Sequence, residues 1–108
     1  MEAKLAPWPK IDAWDEQPAG VTDVLKARGN RYGAFIGHAS ITQQLKTAIF
    51  EHAAREGRRL DPDMREALEM IAHKIGRIVN GDPTYADSWI DIAGYAQLVA
   101  DRLNGTVR

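Results

Sequence analysis

Apolar residues recur at helical spacing in three long segments of this chain. Neighbouring apolar positions are three or four residues apart, which is the spacing of one face of an α-helix. No segment shows the alternation of a β-strand, so the pattern predicts an all-α fold. Trp89 lies at the centre of the last stripe and is predicted to be buried between helices. The stripes are Ile41, Leu45, Ala48, Ile49 and Ala53; Leu68, Ile71, Ile75, Ile78 and Val79; and Trp89, Ile92, Ala96, Val99 and Leu103.

Capping residues and glycines set the expected bounds of the first two helices. A short helix is predicted from Thr22, as N-cap, to Arg28, because Gly29 follows as a stop. Residues 30–38 contain three turn formers and no apolar period, which indicates a loop. Ser40 and Gln43 fit a capping box, in which the serine caps and the glutamine reaches back, so the second helix is expected to open there.

The third and fourth helices are expected to form a tight hairpin. Asp61 is placed to cap the third helix, and Pro62 occupies its first position, where a missing backbone donor does no harm. Asn80-Gly81 is predicted to end that helix, and Asp82-Pro83 to begin the fourth at once. So short a link predicts that these two helices are antiparallel neighbours.

The chain is long enough for one domain with an arm. Residues 21–108 are predicted to form a single compact bundle of about four helices, and residues 1–20 an extended arm. Prolines keep the arm extended because they lack a backbone donor. Trp8 and Trp14 favour an arm that packs on its own domain or on a neighbouring subunit. A disordered terminus is the alternative, although disordered tails are poor in aromatic residues.

Composition excludes several classes of function. Fourteen basic and fifteen acidic residues give a formal charge of −1, so no overall field favours nucleic acid or an anionic membrane. The absence of cysteine excludes disulfides, thiolate catalysis and sulfur-ligated zinc. No apolar run approaches the ~20 residues of a membrane span, and no signal peptide is evident. We therefore expect a soluble protein of the cytoplasm.

Carboxylates on the third and fourth helices are candidate metal ligands. Glu66 and Glu69 lie on the polar side of the third helix, and Asp87 and Asp91 lie one turn apart on the fourth. Gly94 shares the face of the two aspartates, where a glycine costs ~1 kcal/mol relative to alanine, which suggests close contact with a ligand or a chain. Oxygen ligands from two helices suit magnesium when a phosphate completes its shell. The alternative is a solvated polar face.

Basic and aromatic residues nearby are candidates for binding a phosphate-bearing ligand. Arginine recognises phosphate through two parallel hydrogen bonds, and lysine acts as a point charge. An ion pair between a cation of the third helix and an aspartate of the fourth is an alternative that the sequence leaves open. The candidate ligand-binding residues are Arg31, Tyr32, His38, Lys74, Arg77 and Tyr95.

Three motifs together resemble a family of small phage and prophage proteins of unknown function. They are Arg31-Tyr32-Gly33, the run from Lys74 to Ile78, and Asp87-Ser88-Trp89-Ile90-Asp91-Ile92-Ala93-Gly94-Tyr95. The resemblance spans roughly 21–103 and implies a viral protein working in a bacterial cytoplasm, without implying an activity. Ala34 departs from the pattern, since an acidic residue often follows Tyr-Gly in that family.

A second similarity is to MazG-like all-α nucleoside triphosphate pyrophosphohydrolases. Those enzymes hold magnesium with Glu-x-x-Glu on one helix and Glu-x-x-Asp on the next. This chain has Glu66-Ala67-Leu68-Glu69 followed by Asp87-x-x-x-Asp91, so the order agrees while the second motif differs in spacing and lacks its glutamate. The resemblance implies a nucleotide, magnesium and a dimer, and the departure leaves open whether the protein is an enzyme.

Two functional hypotheses follow. The first is a small phage-type helical protein that binds a nucleotide or related phosphate ligand, with magnesium and hydrolysis as open possibilities. The second is an accessory protein without a ligand, whose Asp87, Asp91 and Tyr95 face docks a host or phage protein. In either case the fourth helix and the tryptophan-bearing arm predict a homodimer or larger assembly.

Overall fold

The computed structural model describes residues 20–108, which fold into four α-helices. They are α1 (Val21–Tyr32), α2 (Phe35–Arg55), α3 (Pro62–Asn80) and α4 (Ala86–Leu103). The described residues contain no strand, so the all-α prediction is confirmed. Apart from Gly20, the predicted arm with Trp8 and Trp14 lies outside the described residues. None of the helices described is both long enough and apolar enough to cross a membrane.

Helix α3 lies between α2 and α4 and packs against both. On a wheel of 100° per residue, its buried residues fall on two opposite sides. One side carries Lys74, whose Nζ lies 3.0 Å from a carboxylate oxygen of Asp91 on α4. The other side carries Gly76, which approaches the Thr42 hydroxyl on α2 so closely that a Cβ there would collide with it. The three helices therefore form one layer, with α3 in the middle.

Ion pairs join the start of α3 to the end of α4. Near the end of α4, Arg102 donates from Nε to Asp63 Oδ2 at 2.8 Å and from Nη2 to Asp61 Oδ2 at 3.0 Å. The hydrogen bond from the Arg102 guanidinium lowers the pKa of the Asp63 carboxyl. Because the start of α3 meets the end of α4, the predicted antiparallel arrangement is confirmed.

The predicted bounds of α3 are confirmed and the predicted start of α4 is wrong. Asp61 is the N-cap of α3, Pro62 its first residue and Asn80 its last. Helix α4 begins at Ala86 instead of Asp82-Pro83. Asp82 forms a side-chain turn instead, because its Oδ1 accepts hydrogen bonds from Thr84 N at 2.9 Å and Thr84 Oγ1 at 2.6 Å.

The loop predicted over 30–38 is wrong. Helix α1 continues through Gly29 to Tyr32, and α2 has already begun at Phe35. Ser40 is consequently inside α2, where its Oγ accepts a hydrogen bond from Gln44 Nε2 at 3.1 Å, so it caps no helix. The physical reason is distant in sequence, since polar groups at the end of α3 satisfy the last carbonyls of α1.

Trp89 is not buried between helices as predicted. The residue is 54% exposed, and its Nε1 donates a hydrogen bond to the carbonyl of Pro83 at 2.9 Å. Helix α4 packs on α3 through the side that carries buried Ser88 and half-buried Tyr95. Within the predicted stripe, Trp89 and Ala96 are therefore turned away from the hairpin contact, whereas Ile92 and Val99 are half-buried.

Candidate functional site

A cavity of about 600 Å³ lies where α1, the start of α2 and the end of α3 meet. This volume is within the ~300–1,000 Å³ of small-molecule sites. The lining combines arginines, histidines and aromatic rings and contains no acidic residue. Such a lining favours an anionic ligand over a metal ion. The lining residues are Leu25, Arg28, Gly29, Tyr32, Gly33, Ala34, Phe35, His38, His73 and Arg77.

The end of α3 fixes the floor of this cavity. Asn80 Nδ2 donates to the carbonyl of Tyr32 at 2.7 Å and to that of Ala34 at 2.9 Å, and Asp82 N donates to the carbonyl of Arg31 at 2.5 Å. The bonds to Tyr32 and Arg31 occupy carbonyls that the end of α1 leaves without helical partners. Gly33 has φ +78°, and a Cβ at this position would collide with the Asn80 carbonyl oxygen. The α1–α2 turn is therefore held in one position.

Two histidines form the inner wall. His38 is buried, and its Nε2 lies 3.0 Å from the carbonyl oxygen of His73, so Nε2 donates because a carbonyl can only accept. The two imidazole rings are nearly perpendicular, with centroids 4.4 Å apart. Burial, followed by the neighbouring His38 and Arg77, lowers the pKa of His73 from 6.5 to about 4. His73 is therefore neutral near pH 7.

Stability is expected to fall as the pH drops from about 6.5 to about 4. In this window His73 takes up a proton in the unfolded chain but stays neutral in the fold, so acid favours unfolding. The pKa difference corresponds to ~3 kcal/mol for a fully buried group, and we expect about 1–2 kcal/mol because His73 is half-buried. Urea denaturation at several pH values measures this loss.

The matched variants for this pH experiment are His73→Gln and His52→Gln. In His73→Gln, the free energy of unfolding is expected to fall less between about pH 6.5 and about pH 4 than in the natural chain. His52→Gln, at an exposed position on α2, is expected to keep the full loss. The same loss in His73→Gln as in the natural chain would assign the effect to another group.

Two arginines flank a pair of tyrosine rings beside the cavity. Arg77 Cζ lies 4.3 Å from the centroid of the Tyr32 ring, and Tyr32 meets Tyr85 edge-on at 6.2 Å. Arg31 Cζ lies 4.8 Å from the centroid of the Tyr85 ring. The Tyr85 hydroxyl donates to Asp87 Oδ2 at 2.9 Å, which raises the pKa of Tyr85. Stacking of this kind orients the Arg77 guanidinium at the cavity wall.

The structure brings together three of the six predicted ligand-binding residues. Tyr32, His38 and Arg77 line the same cavity. Arg31 lies outside it, on the Tyr85 ring. Lys74 pairs with Asp91, which confirms the ion-pair alternative, and Tyr95 lines a second cavity of about 330 Å³ between α3 and α4.

Four residues of the site were missed by the sequence reasoning. Arg28 precedes Tyr32 by four residues, a helical spacing that places both on one face once α1 is known to continue. Phe35 and His73 carried no local signal. Asn80 was interpreted only as a helix stop, although its amide is also the cap of α1.

Three of the four predicted magnesium ligands have partners within the protein. Glu69 Oε2 lies 3.2 Å from Arg65 Nε, Asp87 accepts the Tyr85 hydroxyl, and Asp91 pairs with Lys74. Glu66 lines the second cavity. Across residues 20–108, no three histidine, aspartate or glutamate side chains are grouped as a metal site requires. Magnesium binding stays a prediction, as does the docking of a protein on the Asp87, Asp91 and Tyr95 face.

The chain matches no family model, no curated protein and no solved structure. The phage-family and MazG-like resemblances therefore stay predictions, and the geometry of the α1–α3 cavity is what supports a function.

Proposed function

We propose that this protein binds a phosphate-bearing ligand with a flat ring, of the nucleotide class, in the cavity between α1, α2 and α3. The observation that carries the proposal is the charge of the lining: it contains the guanidinium groups of Arg28 and Arg77 and no acidic residue. A carboxylate in the lining would repel phosphate, so this arrangement favours an anion throughout the cavity.

Recognition of the phosphate is assigned to Arg77 and to the start of α2. The Tyr32 ring holds the Arg77 guanidinium in a fixed plane, which suits paired hydrogen bonds to two phosphate oxygens. Ala34 and Phe35, at the N-terminal end of α2, also line the cavity. The amides of a first helical turn lack intrahelical partners and carry a partial positive charge, which adds to the attraction.

Recognition of the ring is assigned to Phe35. This residue is 76% exposed although it lines the cavity, which is unusual for a phenylalanine in a folded domain. A planar base stacked on this ring covers apolar surface that the protein leaves in water. A ligand with both a base and phosphates can stack on Phe35 and bind Arg77 at the same time.

The Arg77→Ala variant is expected to weaken binding of ATP at least tenfold. A charge-assisted hydrogen bond contributes ~1.5–3 kcal/mol, and Arg77 is placed to form two. Isothermal titration calorimetry with ATP, inorganic triphosphate and adenosine separates the phosphate and ring contributions. Adding magnesium to each titration tests the metal prediction separately.

Arg58→Ala is the matched control, because it removes the same charge from an exposed position between α2 and α3. We expect it to bind ATP as the natural chain does. Equal affinities for Arg77→Ala and the natural chain, or no heat with either phosphate compound, would contradict the proposal.

A further inference from the structure

One face of the α2–α3–α4 layer is apolar over most of its area. On α3 this face lies between the side that packs on α2 and the side that packs on α4. It is opposite the side that carries His73 and Arg77. The same wheel places residues of α2 and α4 on this side, which we call the apolar face. Its members are Ile41, Leu45 and Ala48; Leu68, Ile71, Ile75 and Val79; and Trp89, Ile92, Ala96 and Leu103.

The apolar face is open to solvent in the single chain. Val79 is 62% exposed and Trp89 54%, and the isoleucines of α3 on this face are only half-buried. In the described range 20–108, no large side chain is fully buried. A stable domain buries its apolar surfaces between at least two packed layers, and α2, α3 and α4 form only one. The apolar face therefore requires a second layer.

We propose that the second layer is another copy of this chain, so that two apolar faces pack together in a homodimer. The size of the face supports this occupant. Three helices about 9 Å apart and about 27 Å long present roughly 700 Å² of flat area. Each partner in a standard stable interface buries ~800 Å², so one face is the right size for one dimer contact.

The chemistry of the face also favours a copy of itself. The members of the face on α3 and α4 are uncharged, and charged residues are depleted at the centres of stable interfaces. The same wheel places His52 and Arg55 on this side near the end of α2, at the edge of the face, where interfaces are polar. The uncharged centre can meet its own twofold image without like-charge repulsion. The ligand cavity, with His73 and Arg77, is on the opposite side of α3, so this inference is independent of the proposed function.

Light scattering on the full chain tests the dimer. We expect a mass of twice 12.0 kDa at micromolar concentration. Ala96→Asp and Val79→Asp place a charge on the face at positions that tolerate it in a single chain, and each is expected to raise the dissociation constant more than tenfold. Leu98→Asp is the matched control, because Leu98 is also exposed but lies on the opposite side of α4, and it should stay dimeric.

Thiol labelling gives a second readout that does not depend on disrupting the fold. The chain has no cysteine, so Ala96→Cys and Leu98→Cys each introduce a single thiol. Maleimide labelling at Ala96→Cys is expected to accelerate on dilution as the dimer dissociates, whereas labelling at Leu98→Cys does not change. A natural chain of 12.0 kDa at all concentrations would overturn the proposal. A dimer that survives both aspartate variants would overturn it as well.

Discussion

Gly76→Ala is expected to lower the free energy of unfolding by about 2 kcal/mol, whereas Gly94→Ala raises it by up to ~1 kcal/mol. A Cβ at Gly76 would meet the Thr42 hydroxyl and the His38 ring, with the ring Cδ2 only 2.8 Å away. Neither neighbour moves easily, because Thr42 is β-branched inside a helix and His38 is bonded to the His73 carbonyl. Overpacking of this kind costs ~1–3 kcal/mol.

Gly94 is the matched control because it is also a glycine inside a helix, yet nothing lies within 4 Å of its Cβ position. There the variant only gains the helix propensity of alanine. Urea denaturation of the two variants measures both the expected loss of stability in Gly76→Ala and the expected gain in Gly94→Ala. A Gly76→Ala protein as stable as the natural chain would mean that α2 and α3 separate at little cost, and their contact would then be looser than the distances indicate.

The bounds of α3 were predictable because the signals are local. Asp61 and Pro62 stand next to each other at its start, and Asn80-Gly81 stands at its end. The loop predicted over 30–38 failed because its outcome depends on a group 48 residues away, the Asn80 amide that binds the Tyr32 carbonyl. Capping residues read along the chain cannot reveal a cap supplied by another helix.

The candidate site was predicted in part for a similar reason. Tyr32, His38 and Arg77 were named from their chemistry, and the cavity unites them. His73 was missed, since its role depends on the position of His38, 35 residues earlier. The packing of Trp89 could not be predicted from the sequence for a related reason. A helical stripe identifies which residues avoid water, but it does not say whether the same chain or a second one covers them.

Asp91→Asn is expected to lower the free energy of unfolding by about 2 kcal/mol. The Lys74 side chain is only 11% exposed, and Asp91 holds the nearest opposite charge at 3.0 Å. Removing that charge strands the ammonium in a site that water reaches poorly. Loss of one partner of a fully buried pair costs ~3–5 kcal/mol. We expect a smaller loss here because the Asp91 side chain is 47% exposed, so this pair is only partly buried. Thermal and urea denaturation measure the change.

A second substitution separates this structural role from metal binding. Lys74→Met keeps most of the apolar stem and removes the stranded charge, so the double variant with Asp91→Asn is expected to regain most of the lost stability. Asp87→Asn is the control on the same helix, because its hydrogen bond from Tyr85 is at the surface, and we expect a change within ~0.5 kcal/mol. An Asp91→Asn protein that keeps its stability but loses magnesium-dependent ATP binding would contradict the ion-pair role. That result would instead support the carboxylate site that the sequence predicted on α3 and α4.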